Sequence, residues 1–124
     1  MNSTIVIFPG TNREHDMVMA VEQASGKKPN FVWYNDKSFP KTDLIIVPGG
    51  FSYGDYLRSG AMAARSPAMN SVLEYASKGV PILGVCNGFQ ILTEVGLLPG
   101  ALIRNKNLKF ICRNVNIKVE VNDS

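Results

Sequence analysis

Pro81-Ile82-Leu83-Gly84-Val85-Cys86-Asn87-Gly88-Phe89-Gln90 reads as a strand that turns sharply into a helix, with a cysteine on the turn. Pro81 to Val85 is a short apolar run of the kind buried in parallel sheets. After it, Phe89, Leu92 and Val95 repeat at the spacing of a buried helical stripe. Gly84 stands two positions before Cys86 and Gly88 two after it, the spacing of a G-x-S-x-G nucleophile elbow with sulfur in place of oxygen. The chain reverses so tightly in such a turn that a side chain at either flanking position collides with backbone. The turn lifts the sulfur above the carboxyl edge of the sheet, where open α/β sheets bind ligands. At the start of a helix, the dipole and the free N–H groups favour the thiolate. A free cysteine is otherwise a small buried hydrophobe; the paired glycines in a strand-to-helix context favour attack.

Upstream, the same alternation recurs. Ile5-Val6-Ile7-Phe8 is a β-branched apolar run ended by Pro9-Gly10, and Met17, Val21 and Ala24 mark a helix from Arg13 to Ser25 that stops at Gly26. Phe31-Val32-Trp33-Tyr34 and Leu44-Ile45-Ile46-Val47 are two further strands, the latter closed by Pro48-Gly49-Gly50. A loop rich in Gly, Ser and Tyr leads to Ser66-Pro67, an N-cap followed by proline at the first helical position, and Met69, Val72, Leu73 and Ala76 repeat at helical spacing until Lys78-Gly79. Apolar strands alternating with helices predict an α/β fold: an open, mostly parallel sheet with helices on both faces and the cysteine turn after the fourth strand. The end of the chain changes period. Val115, Ile117, Val119 and Val121 alternate with polar residues, which predicts a half-buried antiparallel or edge strand.

The 124 residues bound the chain to a single domain over 1–124, with ordinary globular composition: 45% hydrophobic and 19% charged. The start of the chain has no basic, long-apolar leader and no run approaches the length of a membrane span, so a cytosolic protein without membrane partners is expected. Asn2-Ser3-Thr4 and Asn122-Asp123-Ser124 fit a glycosylation sequon by chance in that compartment. Neither Cys86 nor Cys112 sits in a metal-binding spacing, and no metal site is expected. Cys112 lacks the flanking glycines and reads as an inert strand residue. The net charge of +3 is concentrated: residues 1–103 carry eight basic and eight acidic side chains, and the surplus comes from Arg104, Lys106, Lys109, Arg113 and Lys118. Their spacing suits the solvent side of strands rather than a nucleic-acid surface. Phosphate-binding glycine motifs are missing, so no nucleotide cofactor is expected in this chain.

Attack by a thiolate on a carbonyl makes an oxyanion, which needs backbone donors. One is the N–H after the nucleophile, that of Asn87; the other belongs on a neighbouring strand's carboxyl-end loop, where Gly49-Gly50 can turn an N–H without hindrance from a Cβ. A base is also required. The one histidine, His15, lies in the first turn of the first helix between Glu14 and Asp16, and reads as a solvated helix residue.

Pro48-Gly49-Gly50-Phe51-Ser52-Tyr53-Gly54-Asp55-Tyr56-Leu57-Arg58, Gly84-Val85-Cys86-Asn87-Gly88-Phe89-Gln90, Leu97-Leu98-Pro99-Gly100-Ala101, Arg104-Asn105-Lys106 and Phe110-Ile111-Cys112-Arg113 together resemble one family. It is the glutamine amidotransferase subunit of phosphoribosylformylglycinamidine synthase, in the class I, triad-type amidotransferases with a flavodoxin-like core, and the resemblance runs from Ile5 to about Val121. It implies that Cys86 attacks the side-chain amide of L-glutamine, giving a glutamyl thioester and ammonia. Gly50 and Asn87 are then the oxyanion donors, Gln90 and Gly49 help hold the substrate, and Gly84 and Gly88 shape the turn. It implies partners as well: a large synthetase subunit that binds ATP and Mg and uses the ammonia in purine biosynthesis, with a small third subunit in many bacteria. Family members are longer, with the triad histidine and glutamate beyond the position of Ser124, so the domain is expected to be incomplete at its C-terminus. Two other readings stay open: an inactive truncated chain that binds the synthetase, and another cysteine-elbow hydrolase or glyoxalase-like protein.

Overall fold

The computed structural model describes residues 1–56 and 59–121. Leu57 and Arg58 of the Phe51–Arg58 motif, and the Asn122-Asp123-Ser124 sequon, lie outside the described residues.

Four strands, β1 (Ser3–Ile7), β2 (Asn30–Trp33), β3 (Leu44–Val47) and β4 (Ile82–Gly84), form one parallel sheet in the order β2-β1-β3-β4. Among the described residues the helices are α1 (Glu14–Ser25), α2 (Ser59–Ala63), α3 (Pro67–Ser77) and α4 (Asn87–Glu94), and Ser52–Asp55 makes a tight turn with left-handed φ at Tyr53 and Gly54. Strand periodicity divides the core in two. Val6, Phe8, Ile45 and Val47 point to the face covered by α2, α3 and α4, through Ala63, Met69, Val72, Ile91 and Leu92. Ile5 and Ile46 point to the other face, where Val21, Met17 and Val18 of α1 meet them. Helices thus cover both faces of the sheet, as the apolar runs of β1 and β3 require.

Local chemistry sets the element ends. Ser66 Oγ accepts from the Met69 N–H at 3.3 Å and Pro67 opens α3, while Gly26 closes α1 at φ 68°, its N–H bonded to the Glu22 carbonyl. The edge strands β2 and β4 are wetter than the central pair: Phe31 and Trp33 on β2 and Leu83 on β4 are exposed.

The structure corrects two sequence readings. The buried stripe of α4 is Ile91, Leu92 and Thr93, whereas Phe89 is exposed. The C-terminal antiparallel or edge strand over 115–121 does not form: residues 109–121 have no regular secondary structure, and Ile117 is 92% exposed. Alternating polarity specifies a strand only where a neighbouring backbone takes up its N–H and C=O groups; among the described residues none pairs with this segment.

The strand order fixes where a ligand belongs. From β1 the chain steps one way to β2 and the other way to β3 and β4, so the sheet changes direction between β1 and β3. A crevice forms outside the carboxyl ends of strands at such a point. Here it is bounded by the loops after β1 (Phe8–Arg13) and β3 (from Pro48), with the turn after β4 beside them.

Candidate active site

Val85 extends the β4 ladder by one bond, its N–H to the Val47 carbonyl at 3.0 Å, and the chain then reverses. The Gly88 N–H returns to the Val85 carbonyl at 2.8 Å, and the Cys86 carbonyl accepts the first bond of α4 from Gln90. Between them Cys86 sits at φ 54°, ψ −110°. That is close to the roughly +60°, −120° of the first central residue of a type II′ turn, a position dominated by glycine. The thiol is exposed.

The neighbouring glycines leave no room for a side chain. A Cβ on Gly88 would lie 1.8 Å from the Val47 carbonyl oxygen, and one on Gly84 would lie 2.6 Å from Leu92 Cδ1 and 2.8 Å from the Gly88 carbonyl carbon. A Cβ on Gly49 would lie 2.6 Å from Cys86 Cβ and 3.4 Å from its sulfur, so the loop after β3 runs directly beside the thiol. Gly50, at φ 95°, backs onto the loop after β1: a Cβ there would meet Asn12 Oδ1 at 2.2 Å, and its carbonyl accepts from the Asn12 N–H at 3.0 Å. The sequence-predicted Gly49, Gly50, Gly84, Cys86, Asn87 and Gly88 are therefore gathered at one strand edge.

In front of the thiol lies a cleft of about 990 Å³, lined among others by Asp55, Cys86, Gln90, Glu94, Arg104 and Phe110. One wall is α2, which crosses α4 closely enough that a Cβ on Gly60 would sit 2.7 Å from Glu94 Cβ. A second cavity, about 640 Å³, lies between Tyr34, Tyr53 and Arg65 and shares Ala61 and Met62 with the first. Its donors at the start of α3 are already engaged: the Ala68 N–H bonds to the Tyr34 carbonyl and the Met69 N–H to Ser66 Oγ. Burial first, then the Tyr34 phenol, raises the pKa of Tyr53 above the ordinary tyrosine value.

Sequence reasoning missed three features. α2 is only five residues long and begins at Ser59-Gly60, too short for a periodic signal. Glu94 carried no motif, and Asp55 entered only as part of the motif after Gly50, with no role of its own, yet both line the cleft. Asn87 entered for its N–H alone, but its side chain is fully buried: Oδ1 accepts from the Ser52 N–H, and Nδ2 donates to Asp55 Oδ1 and Gln90 Oε1. His15 is exposed on α1, and among the described residues no hydrogen bond joins it to the thiol.

Fold and site together define an open parallel α/β protein with a cysteine-centred cleft at the switch point of its sheet. The model of the CobB/CobQ-like glutamine amidotransferase domain matches residues 1–124, and the chain belongs to that family. It is 61% identical over 121 residues to the phosphoribosylformylglycinamidine synthase subunit PurQ of Rhodospirillum rubrum, covering 97% of this chain and 53% of that protein. With the subunit of the same name from Rhodopseudomonas palustris (strain BisB18) it shares 60% over 125 residues, 100% of this chain and 54% of the other. Among solved structures it is similar to a chain in the PurLQS structure from Thermotoga maritima, with a TM-score of 0.78 and 46% identity over 90% of this chain and 52% of that one. The chain spans about half the length of the curated relatives it matches.

Proposed function

We propose that this chain carries the nucleophile of a glutaminase that supplies ammonia to a phosphoribosylformylglycinamidine synthase, and that residues 1–124 are part of a longer amidotransferase domain. One observation carries the reading: an exposed thiol on a strained strand-to-helix turn, directly beside the Gly49-Gly50 loop and open to a cleft that Gln90 lines. Membership of a glutamine amidotransferase family supports it, as do relatives named for that synthase.

In this mechanism the Cys86 sulfur adds to the side-chain amide carbon of L-glutamine. The C–S bond forms and the carbonyl oxygen takes the negative charge, held by the N–H groups of Gly50 and Asn87. As the carbonyl re-forms, the C–N bond breaks, and the nitrogen leaves as ammonia with the proton the thiol gave up. Cys86 keeps a γ-glutamyl thioester, which water cleaves to glutamate and free thiol. Gln90 and Gly49 orient the substrate. The ammonia goes to a large synthetase subunit, which holds ATP and Mg and makes formylglycinamidine ribonucleotide from formylglycinamide ribonucleotide, with a small third subunit completing the complex.

The test is glutamine-dependent product formation by the full-length gene product with its synthetase subunit. Cys86→Ala is expected to abolish it while product formation from added ammonia persists; unchanged glutamine-dependent turnover contradicts the assignment. His15 is exposed, and among the described residues no hydrogen bond joins it to the thiol, which favours a second reading in which the 124 residues at most bind the synthetase without turning over. That reading predicts no glutamate release from the 124-residue chain, and measurable release removes it.

A further inference from the structure

The side chain of Asn87 has a place in the site that its backbone N–H does not account for. It is 1% exposed and its amide is in full use. Oδ1 accepts from the Ser52 N–H at 3.2 Å, and Nδ2 donates to Asp55 Oδ1 at 2.5 Å and to Gln90 Oε1 at 2.9 Å, which engages both of its N–H groups. One side chain on the first residue of α4 thus joins the cysteine turn to the loop after Gly50 and to Gln90.

Within that loop the Gly54 N–H bonds to the Phe51 carbonyl at 2.8 Å, and other anchors come from outside it. Phe51, Tyr53, Gly54 and Asp55 lie at φ 72°, 53°, 71° and 56°. Each left-handed non-glycine residue costs of order 1–3 kcal/mol and persists only where its surroundings impose it. Two other anchors come from the loop after β1: the Tyr53 N–H bonds to the Pro9 carbonyl at 2.7 Å, and Thr11 Oγ1 lies 2.9 Å from Ser52 Oγ. Among the described residues, the Asn87 bonds anchor the loop to the cysteine-bearing helix. The Gly50 carbonyl, held by the Asn12 N–H, and the Ser52 N–H, held by Asn87, flank Phe51, so the chain is pinned on both sides of the residue that directly follows Gly50.

We propose that Asn87 is a positioning residue whose side-chain amide locks the Phe51–Asp55 loop and Gln90 to the Cys86 turn, keeping the Gly50 N–H in register with the thiol. The inference rests on the glutaminase reading. Only an amide satisfies all three partners: aspartate at this position would keep the bond from Ser52 but set a second carboxylate against Asp55.

The experiment compares Asn87→Ala, Asn87→Asp, Asp55→Ala and Asp55→Asn in the full-length gene product. It reads glutaminase kcat and KM, and inhibition by L-glutamate γ-semialdehyde. The thiol adds to that aldehyde, a C–S bond forms, the thiol proton passes to the former carbonyl oxygen, and that oxygen occupies the oxyanion position. Asn87→Ala and Asn87→Asp are expected to lower kcat by roughly 10- to 100-fold, short of the 10²–10³ for removing an oxyanion donor outright. The semialdehyde should bind more weakly by a similar factor. Asp55→Asn should recover part of what Asp55→Ala loses, because its amide oxygen still accepts from Asn87. A merely structural role lowers the active fraction and leaves the inhibition constant unchanged, and that result overturns the proposal. If Asn87→Ala does not fold, the Asp55 pair decides, and wild-type kcat and inhibition in Asp55→Ala overturn it. A wild-type protein without glutaminase activity sinks the glutaminase reading and this inference with it; an active one indifferent to all four substitutions sinks the inference alone.

Discussion

Cys86 holds a backbone conformation that suits glycine, and this has a measurable consequence for stability. Strain of about 1–3 kcal/mol at a positive φ persists in Cys86→Ala, which keeps the Cβ, and is relieved in Cys86→Gly. Glycine usually loses to alanine because the unfolded chain gains more freedom. At this position the order should reverse, with Cys86→Gly more stable than Cys86→Ala by about 1 kcal/mol in denaturant unfolding. Alanine more stable than glycine would show the turn to be relaxed. Gly88 is the opposite case: a Cβ there would overlap the Val47 carbonyl. Gly88→Ala must displace β3 or α4, so a loss of at least the roughly 1–3 kcal/mol typical of overpacking is expected, read as a lower urea midpoint. The glycine pattern was legible in the sequence because sterics alone dictates it. The side-chain role of Asn87 was not, because its three partners lie at Ser52, Asp55 and Gln90, and two of them become neighbours only when β3 and β4 pair.

At the scale of elements, the four strands and three of the helices could be read from apolar periodicity and from Ser66-Pro67, Gly26 and Gly79. α2 could not be, since five residues around a glycine carry no period, and its place is set by the close crossing of Gly60 over α4. The N-cap of α3 gives one expected outcome: Ser66→Ala should cost about 1 kcal/mol through the lost bond to the Met69 N–H, seen as a lower Tm. The Ser52–Asp55 turn gives another. Below the ordinary tyrosine pKa near 10, Tyr53 is protonated in both the folded and the unfolded chain, and nothing is lost. Its folded pKa is raised, so above that pH the unfolded chain ionises first and stability falls as pH climbs through the folded value. Tyr53→Phe should flatten the alkaline limb of a stability–pH profile above the ordinary tyrosine pKa near 10; an unaltered limb would contradict the burial of that hydroxyl.

For the whole molecule, the described residues up to Gly100 build one sheet with both faces covered, and 101–121 lie outside it with Ile103, Phe110 and Ile117 exposed. Alternation at 115–121 is a property of the sequence; pairing is a property of the neighbours, and that difference is why the strand reading failed. Brief trypsin treatment of the 124-residue chain should cut first at Lys106, Lys109, Arg113 and Lys118, and leave a product close to residues 1–106 that keeps its helical circular dichroism. Early cleavage at Lys27 or Lys78 instead would contradict this division. The central claim concerns Cys86 itself. The most direct measurement is intact mass and peptide mapping of the full-length gene product, mixed with L-glutamine and quenched in acid within the turnover time. The account predicts one γ-glutamyl group on the peptide that carries Cys86, discharged by hydroxylamine and lost in Cys86→Ser as a thioester. Turnover with no adduct on that peptide, or with the adduct on Cys112, would contradict it.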